Sequence, residues 1–130
     1  MAVEFGLLGD VEMRVDGRLV DIGHARQTAV LAALLVEPNR AVPLDQLLDR
    51  IWGDRPPQRA RGTLYSYLSR LRHILAAAEG LDIVRQPGGY LLPVDSAAID
   101  VQRFRQLVGQ ARTSADTDQA AALLDQALGL

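Results

Sequence analysis

The sequence predicts an α+β fold: a winged arrangement in which a small antiparallel meander, three helices and a β-hairpin follow one another, with a helical hairpin behind them. Three observations carry this. Apolar residues alternate at period two near the start, at Val3, Phe5, Leu7 and then Val11, Met13, Val15. From Ala25 onward the spacing changes to three and four, the period of a helix with one buried face. A short pair of apolar runs then flanks Pro87-Gly88-Gly89 between Ile83 and Leu92, the mark of a hairpin.

The meander comes first. Gly9-Asp10 and Asp16-Gly17 are turn pairs, and an Asp-Gly step between alternating segments favours a tight two-residue hairpin. Leu19-Val20-Asp21-Ile22 supplies the third strand. Three strands this short are not stable alone, so the meander must pack against the helices.

A first helix is predicted over Ala25–Val36, with Ala29, Leu31, Ala32, Leu35 and Val36 as its apolar stripe, His24 at its opening and Pro38-Asn39 ending it. A second runs from Leu44 to Trp52. Leu44, Leu47, Leu48, Ile51 and Trp52 share a face, Pro43 and Asp45 suit its first turn, and Gly53 suits its stop. No helix crosses Asp54-Arg55-Pro56-Pro57. The third helix begins at Gln58 or Arg59 and reaches Ala78, with Gly80 as terminator. Its seam is Leu64, Leu68, Leu71 and Leu75, widened by Tyr67 and Ile74; Tyr65, about 60° from that seam, is expected to be partly buried.

The hairpin pairs Ile83-Val84-Arg85-Gln86 with Tyr90-Leu91-Leu92 around a three-residue turn, and Pro93 closes it. Beyond Asp95 the chain is rich in Ala, Gln and Asp. Helices are expected over Asp100–Arg112 and Asp118–Leu128, joined by Thr113-Ser114-Ala115-Asp116. One such pair resembles a single unit of a tetratricopeptide-like helical repeat, which cannot bury its own surface. The expected division is therefore 1–94 for a first domain and 95–130 for the truncated start of a second, unless the tail packs back on the first.

Composition removes several classes of function. The 130 residues contain no cysteine, which excludes disulfides, Cys-zinc sites and thiol nucleophiles. There is no apolar run of about 18 residues to span a membrane, and Met1-Ala2-Val3-Glu4 does not open a signal peptide. All 14 basic residues are arginine, against 16 acids, for a net charge of −2. That total hides an uneven distribution. Residues 1–39 hold three arginines and six acids, 40–90 hold eight and five, and 91–130 hold three and five. The segments therefore carry −3, +3 and −2. From Arg55 through Ala78 there are five arginines and His73 and no acid. A basic helix on an otherwise acidic chain is an electrostatic footprint for phosphate.

Turning the third helix by about 100° per residue with its leucines inward leaves Arg59, Gly62, Thr63, Ser66, Ser69, Arg70 and His73 outward. Arg61 and Arg72 lie nearer the buried border, where they either reach outward or pair with an acid. The outward set is short, polar and cationic, which suits a major groove rich in acceptors. The order of short helix, constrained loop, basic helix and hairpin with Arg85 near its tip is that of a helix-turn-helix with a wing, the wing setting a basic residue beside backbone or minor groove.

Thr63-Leu64-Tyr65-Ser66-Tyr67-Leu68-Ser69-Arg70-Leu71-Arg72 resembles the recognition-helix core of OmpR/PhoB-type winged helices, and Ile83-Val84-Arg85 with Gly89-Tyr90-Leu91 resembles that family's wing. Phe5-Gly6-Leu7-Leu8-Gly9, the helix bearing Arg26, Leu47-Leu48-Asp49-Arg50-Ile51-Trp52-Gly53 and Pro56-Pro57 narrow the resemblance to the Streptomyces antibiotic regulatory protein (SARP) group and its relatives of the AfsR and EmbR kind. In that group a bacterial transcriptional activation domain follows, and Asp100-Val101-Gln102-Arg103-Phe104 and Ala120-Ala121-Ala122-Leu123-Leu124 are similar to its opening.

The resemblance implies an actinobacterial, cytoplasmic, nucleoid-associated activator that binds direct repeats in promoter double-stranded DNA and contacts RNA polymerase holoenzyme, without a cofactor, metal or membrane. A homodimer on DNA is compatible with it. Thr63, Ser66, Ser69 and Arg70 would face bases or phosphates, with His73 on the same face. Arg59 and Arg72 would contact phosphate, Arg85 would meet the minor groove, and Asp54, Arg55, Pro56 and Pro57 would form the polymerase-contacting loop. The wing turn is one residue longer than is commonest in the family, and Pro43 stands where Ser or Thr is common.

An enzyme is not expected. His24 and His73 lie in no metal-spaced cluster, Gly88-Gly89 is a turn without a strand-to-helix phosphate loop, and Ser66 and Ser69 have no neighbouring base. The rival reading is a protein-interaction module on a winged-helix scaffold, its basic face turned to an acidic partner. A receiver-linked output domain is a third, but no phosphoacceptor domain is present in the chain.

Overall fold

The structure is a computed structural model describing residues 2–130, the side chain of residue 79 excepted. Strands β1 (Val3–Gly6), β2 (Glu12–Val15) and β3 (Arg18–Val20) form an antiparallel sheet in that order, with Phe5 opposite Met13 and Met13 opposite Val20. The β2–β3 turn has φ of 51° at Asp16 and 82° at Gly17. Two consecutive left-handed residues make the turn whose twist matches that of the strands, as the Asp-Gly pair predicts. The third strand is shorter than expected. Beyond Val20 the Asp21 carboxylate accepts from the Gly23 amide, and the Ile22 carbonyl accepts from the buried Gln27 amide at 2.9 Å. The Gln27 side chain thus takes the Ile22 carbonyl that a longer ladder would have used.

Helices α1 (Ala25–Val36), α2 (Leu44–Trp52) and α3 (Ala60–Glu79) follow. His24 caps α1, its Nδ1 accepting from the Gln27 amide. The stripe of α1 differs from the expected one: Val30, Leu31, Ala33, Leu34 and Leu35 are buried, while Val36 is 41% exposed at the helix end. α1 packs against both α2 and α3, so more of its circumference is covered than one seam would cover. Gly53 and Gly80 end α2 and α3 with φ of 64° and 67°, left-handed positions that favour glycine. α3 begins three residues after the second proline because the Ala60 amide first closes a turn onto the Pro57 carbonyl at 3.0 Å.

Strands β4 (Val84–Gln86) and β5 (Gly89–Leu91) make the hairpin. Its turn is Pro87-Gly88, two residues and not three, because Gly89 already pairs with Gln86. Gly89 has φ of 130°, and a Cβ there would overlap the Val42 carbonyl oxygen. Only glycine lets the strand begin so close to Val42. The Val42 amide and carbonyl in turn bond Tyr90 at 2.7 and 2.9 Å, which fastens the hairpin to the segment before α2.

One core unites these elements. Phe5 and Met13 from the sheet, Leu31, Leu34 and Leu35 from α1, Leu47 from α2, Leu64, Leu71 and Leu75 from α3, and Ile83, Leu92 and Ile99 after it are all buried in one cluster. The meander thus finds the support it needs. After a 3-10 turn at Ser96–Ala98 come α4 (Asp100–Thr113) and α5 (Thr117–Leu128), packed on each other as a helical pair. α4 also packs back onto β1, and Phe5 forms a parallel bridge with Ile99.

Candidate nucleic-acid interface

α3 owes its orientation to its leucines. With Ala60, Leu64, Tyr67, Leu68, Leu71 and Leu75 buried, the opposite face points out. Arg59, Ser66, Ser69, Arg70, Arg72 and His73 are exposed, and Thr63 is half-buried. Arg59 precedes the helix, its carbonyl accepting from the Thr63 amide. Ser66 Oγ donates to the Gly62 carbonyl at 3.2 Å, leaving its own lone pairs outward. Arg85 is exposed on β4 opposite Tyr90, next to the hairpin turn.

The arginines divide into two classes. Arg61 is paired with Asp45 at 2.8 Å and Arg72 with Asp82 at 2.9 Å, as their border positions allow. Arg55, Arg59, Arg70 and Arg85 form no ion pair among the described residues. In the Arg72–Asp82 pair the hydrogen bond, helped by opposite charge, raises the guanidinium pKa. The same hydrogen bond from Arg72 is the main cause that holds the Asp82 carboxyl below the usual carboxylate range.

Two shallow depressions flank the strip. Ser69, Arg72, His73 and Asp82 share one beside the end of α3. Tyr65, Arg85, Gly88 and Tyr90 share the other, between α3 and the hairpin. Tyr65, expected to be partly buried, is 45% exposed and borders the depression it shares with the hairpin. A wheel drawn from α3 alone cannot know how far a neighbouring hairpin reaches, so this member of the surface was legible only in three dimensions.

The loop Asp54–Pro57 is exposed throughout, and Pro56 and Pro57 border the same depression as Arg59. Behind it Trp52 stacks on Tyr67 with ring centroids 6.2 Å apart, and the guanidinium of Arg26 lies 5.9 Å from the indole. Tyr67 is buried, as expected for a core aromatic. No group of His, Asp and Glu able to hold a metal occurs among the described residues, and no described helix is long and apolar enough to cross a membrane.

Residues 22–92 match the family described as "Transcriptional regulatory protein, C terminal". The chain belongs to that OmpR/PhoB-type family. Its members are transcriptional regulators, not enzymes. Among relatives, the transcriptional regulatory protein EmbR of Mycobacterium bovis is 40% identical over 106 residues, covering 78% of this chain and 27% of EmbR. Regulatory protein AfsR of Streptomyces griseus is 35% identical over 133 residues, 99% of this chain and 13% of AfsR. Transcriptional regulator RedD of Streptomyces coelicolor is 34% identical over 135 residues, 98% of this chain and 39% of RedD. These are regulators of the SARP kind, as the motifs suggested. The solved structure of Mycobacterium tuberculosis EmbR in complex with a low-affinity phosphopeptide superposes with a TM-score of 0.85 at 36% identity, over 97% of this chain and 35% of that one. The chain thus spans well under half the length of each of these relatives.

Proposed function

We propose that this chain binds double-stranded DNA at promoters, with α3 in the major groove and the β4–β5 turn against the adjacent minor groove, and thereby regulates transcription. One observation carries the reading: Arg59, Arg70 and Arg85, which form no ion pair among the described residues, are exposed together with Ser66, Ser69 and His73 and the half-buried Thr63 along α3 and its hairpin. Short hydroxyl side chains admit close approach to base edges, and arginine forks match guanine and phosphate acceptors. Thr63, Ser66, Ser69 and Arg70 read the groove, Arg59 and His73 meet backbone phosphates, and Arg85 meets the minor groove. Arg72, closed on Asp82, stands at the edge of this set. Residues 1–94 form the DNA-binding unit and 95–130 begin the activation domain. Direct repeats are the fitting target, the exposed Asp54–Pro57 loop is free to contact RNA polymerase, and a homodimer on DNA is the fitting assembly.

The test is duplex affinity measured against salt. Each cation that neutralises a phosphate adds a slope of about −0.9 to log K against log salt. Arg70→Ala and Arg85→Ala should each weaken binding and flatten the slope by about that amount. Unchanged affinity and slope in both variants would remove the assignment in favour of a protein-binding surface.

A further inference from the structure

Beside the cationic strip stands a carboxylate that DNA binding alone would not call for. Arg72 Nε donates to Asp82 Oδ1 at 2.9 Å, and a second guanidinium nitrogen reaches Oδ2 at 3.4 Å, so the fork closes on both oxygens. The two side chains remain 55% and 50% exposed and border the same depression as Ser69 and His73. The pair therefore sits on the proposed DNA-facing side and is not tucked behind it.

Asp82 also holds a particular place in the chain. It lies two residues after the left-handed Gly80 that ends α3, one before the core residue Ile83, and three before Arg85. An extended chain advances at most about 3.3–3.6 Å per residue, so a contact at Asp82 restrains where β4 starts and where Arg85 is presented. A guanidinium closed on a carboxylate brings no net charge to the DNA. To meet a phosphate, Arg72 would have to leave Asp82 as an uncompensated anion beside a polyanion, and like charges at that range repel.

We propose that Asp82 is a positioning residue: it holds Arg72 out of the phosphate-contacting set and ties the end of α3 to the hairpin, so that the pair sets Arg85 relative to the groove. This rests on the DNA-binding reading. It assigns Arg72 a different role from that of Arg59 or Arg85, which form no ion pair among the described residues.

The experiment compares the unmodified chain with Asp82→Asn, Arg72→Ala and the double variant, titrating a mixed-sequence duplex over a fourfold range of salt. Asp82→Asn releases Arg72, so its slope should steepen by about 0.9, an extra fall of about 3.5-fold in affinity across that range. Arg72→Ala should lower affinity, because it exposes Asp82, without losing the slope of a free cation. The double variant should return toward the unmodified slope. If Arg72 contacts phosphate directly, Arg72→Ala flattens the slope by about 0.9 and Asp82→Asn leaves it unchanged; either result overturns the proposal. Both residues are exposed, and a denaturation curve for each variant separates binding from folding. Absence of salt-dependent binding by the unmodified chain would instead bring down the DNA-binding reading itself, and the positioning role with it.

Discussion

The Asp100 carboxylate accepts hydrogen bonds from the backbone amides of Leu7 at 2.7 Å and Leu8 at 3.1 Å, 93 and 92 residues earlier in the chain. It sits in the first turn of α4, where a negative charge also suits the helix dipole. One side chain thereby joins the loop after β1 to the start of the helical pair, beside the Phe5–Ile99 bridge.

Asp100→Ala leaves the Leu7 and Leu8 amides, and that of Val101 at 2.7 Å, without that partner. Charge-assisted hydrogen bonds contribute about 1.5–3 kcal/mol each when partly buried, and solvent access here sets the expected loss near the lower end. Urea denaturation should show the midpoint falling with little change in slope. An unaltered midpoint would mean that water replaces the carboxylate at no cost.

Gly89→Ala should be more damaging than its exposure suggests. The new methyl meets the Val42 carbonyl, and φ of 130° is unfavourable for any L side chain. A loss of about 2–3 kcal/mol or local detachment of the hairpin is expected. Hydrogen exchange at the Val42 and Tyr90 amides would report it, since those two amides hold the hairpin in place.

Tyr65→Ala should weaken duplex binding while leaving thermal stability nearly unchanged, because the ring is 45% exposed and lines the depression it shares with Arg85. Phenol hydroxyls commonly bond phosphate oxygens. A large drop in melting temperature, with affinity intact, would show the ring to be structural.

The Asp82 carboxyl is held below the usual range chiefly by the Arg72 hydrogen bond. With the folded value depressed, the pair's stabilisation is present above the ordinary carboxylate pKa of about 3.9 and is lost as pH falls through the lower folded value. Solvent and salt screen so exposed a pair, so the effect is small. Denaturation midpoints of the unmodified chain and Asp82→Asn should differ by a constant amount near neutrality and converge below about pH 4. A gap that persists undiminished in acid would have another source.

What could be read in advance was whatever repeats locally. The boundaries of α1 and α2, the Asp16-Gly17 turn, the glycine stops at Gly53 and Gly80 and the inward leucines of α3 follow from periodicity and backbone preference, which act within a few residues. The cationic character of α3 was legible for the same reason, since charge is carried by the residues themselves.

Tertiary structure decided everything that depends on a distant neighbour. Tyr65 lines a depression with a hairpin some twenty residues later only because the fold brings the two together. Gly89 starts a strand because Val42 lies against it. Arg61 and Arg72 took the paired alternative because Asp45 and Asp82 come within reach, while Arg59, Arg70 and Arg85 have no such partner among the described residues. Asp100 reads in sequence as an ordinary first-turn acid and becomes a tether only when Leu7 is brought beside it. The sequence by itself determined the elements and the sign of the surface charge; packing determined which of those charges remain free to meet a partner, because pairing depends on distances that only the assembled core sets.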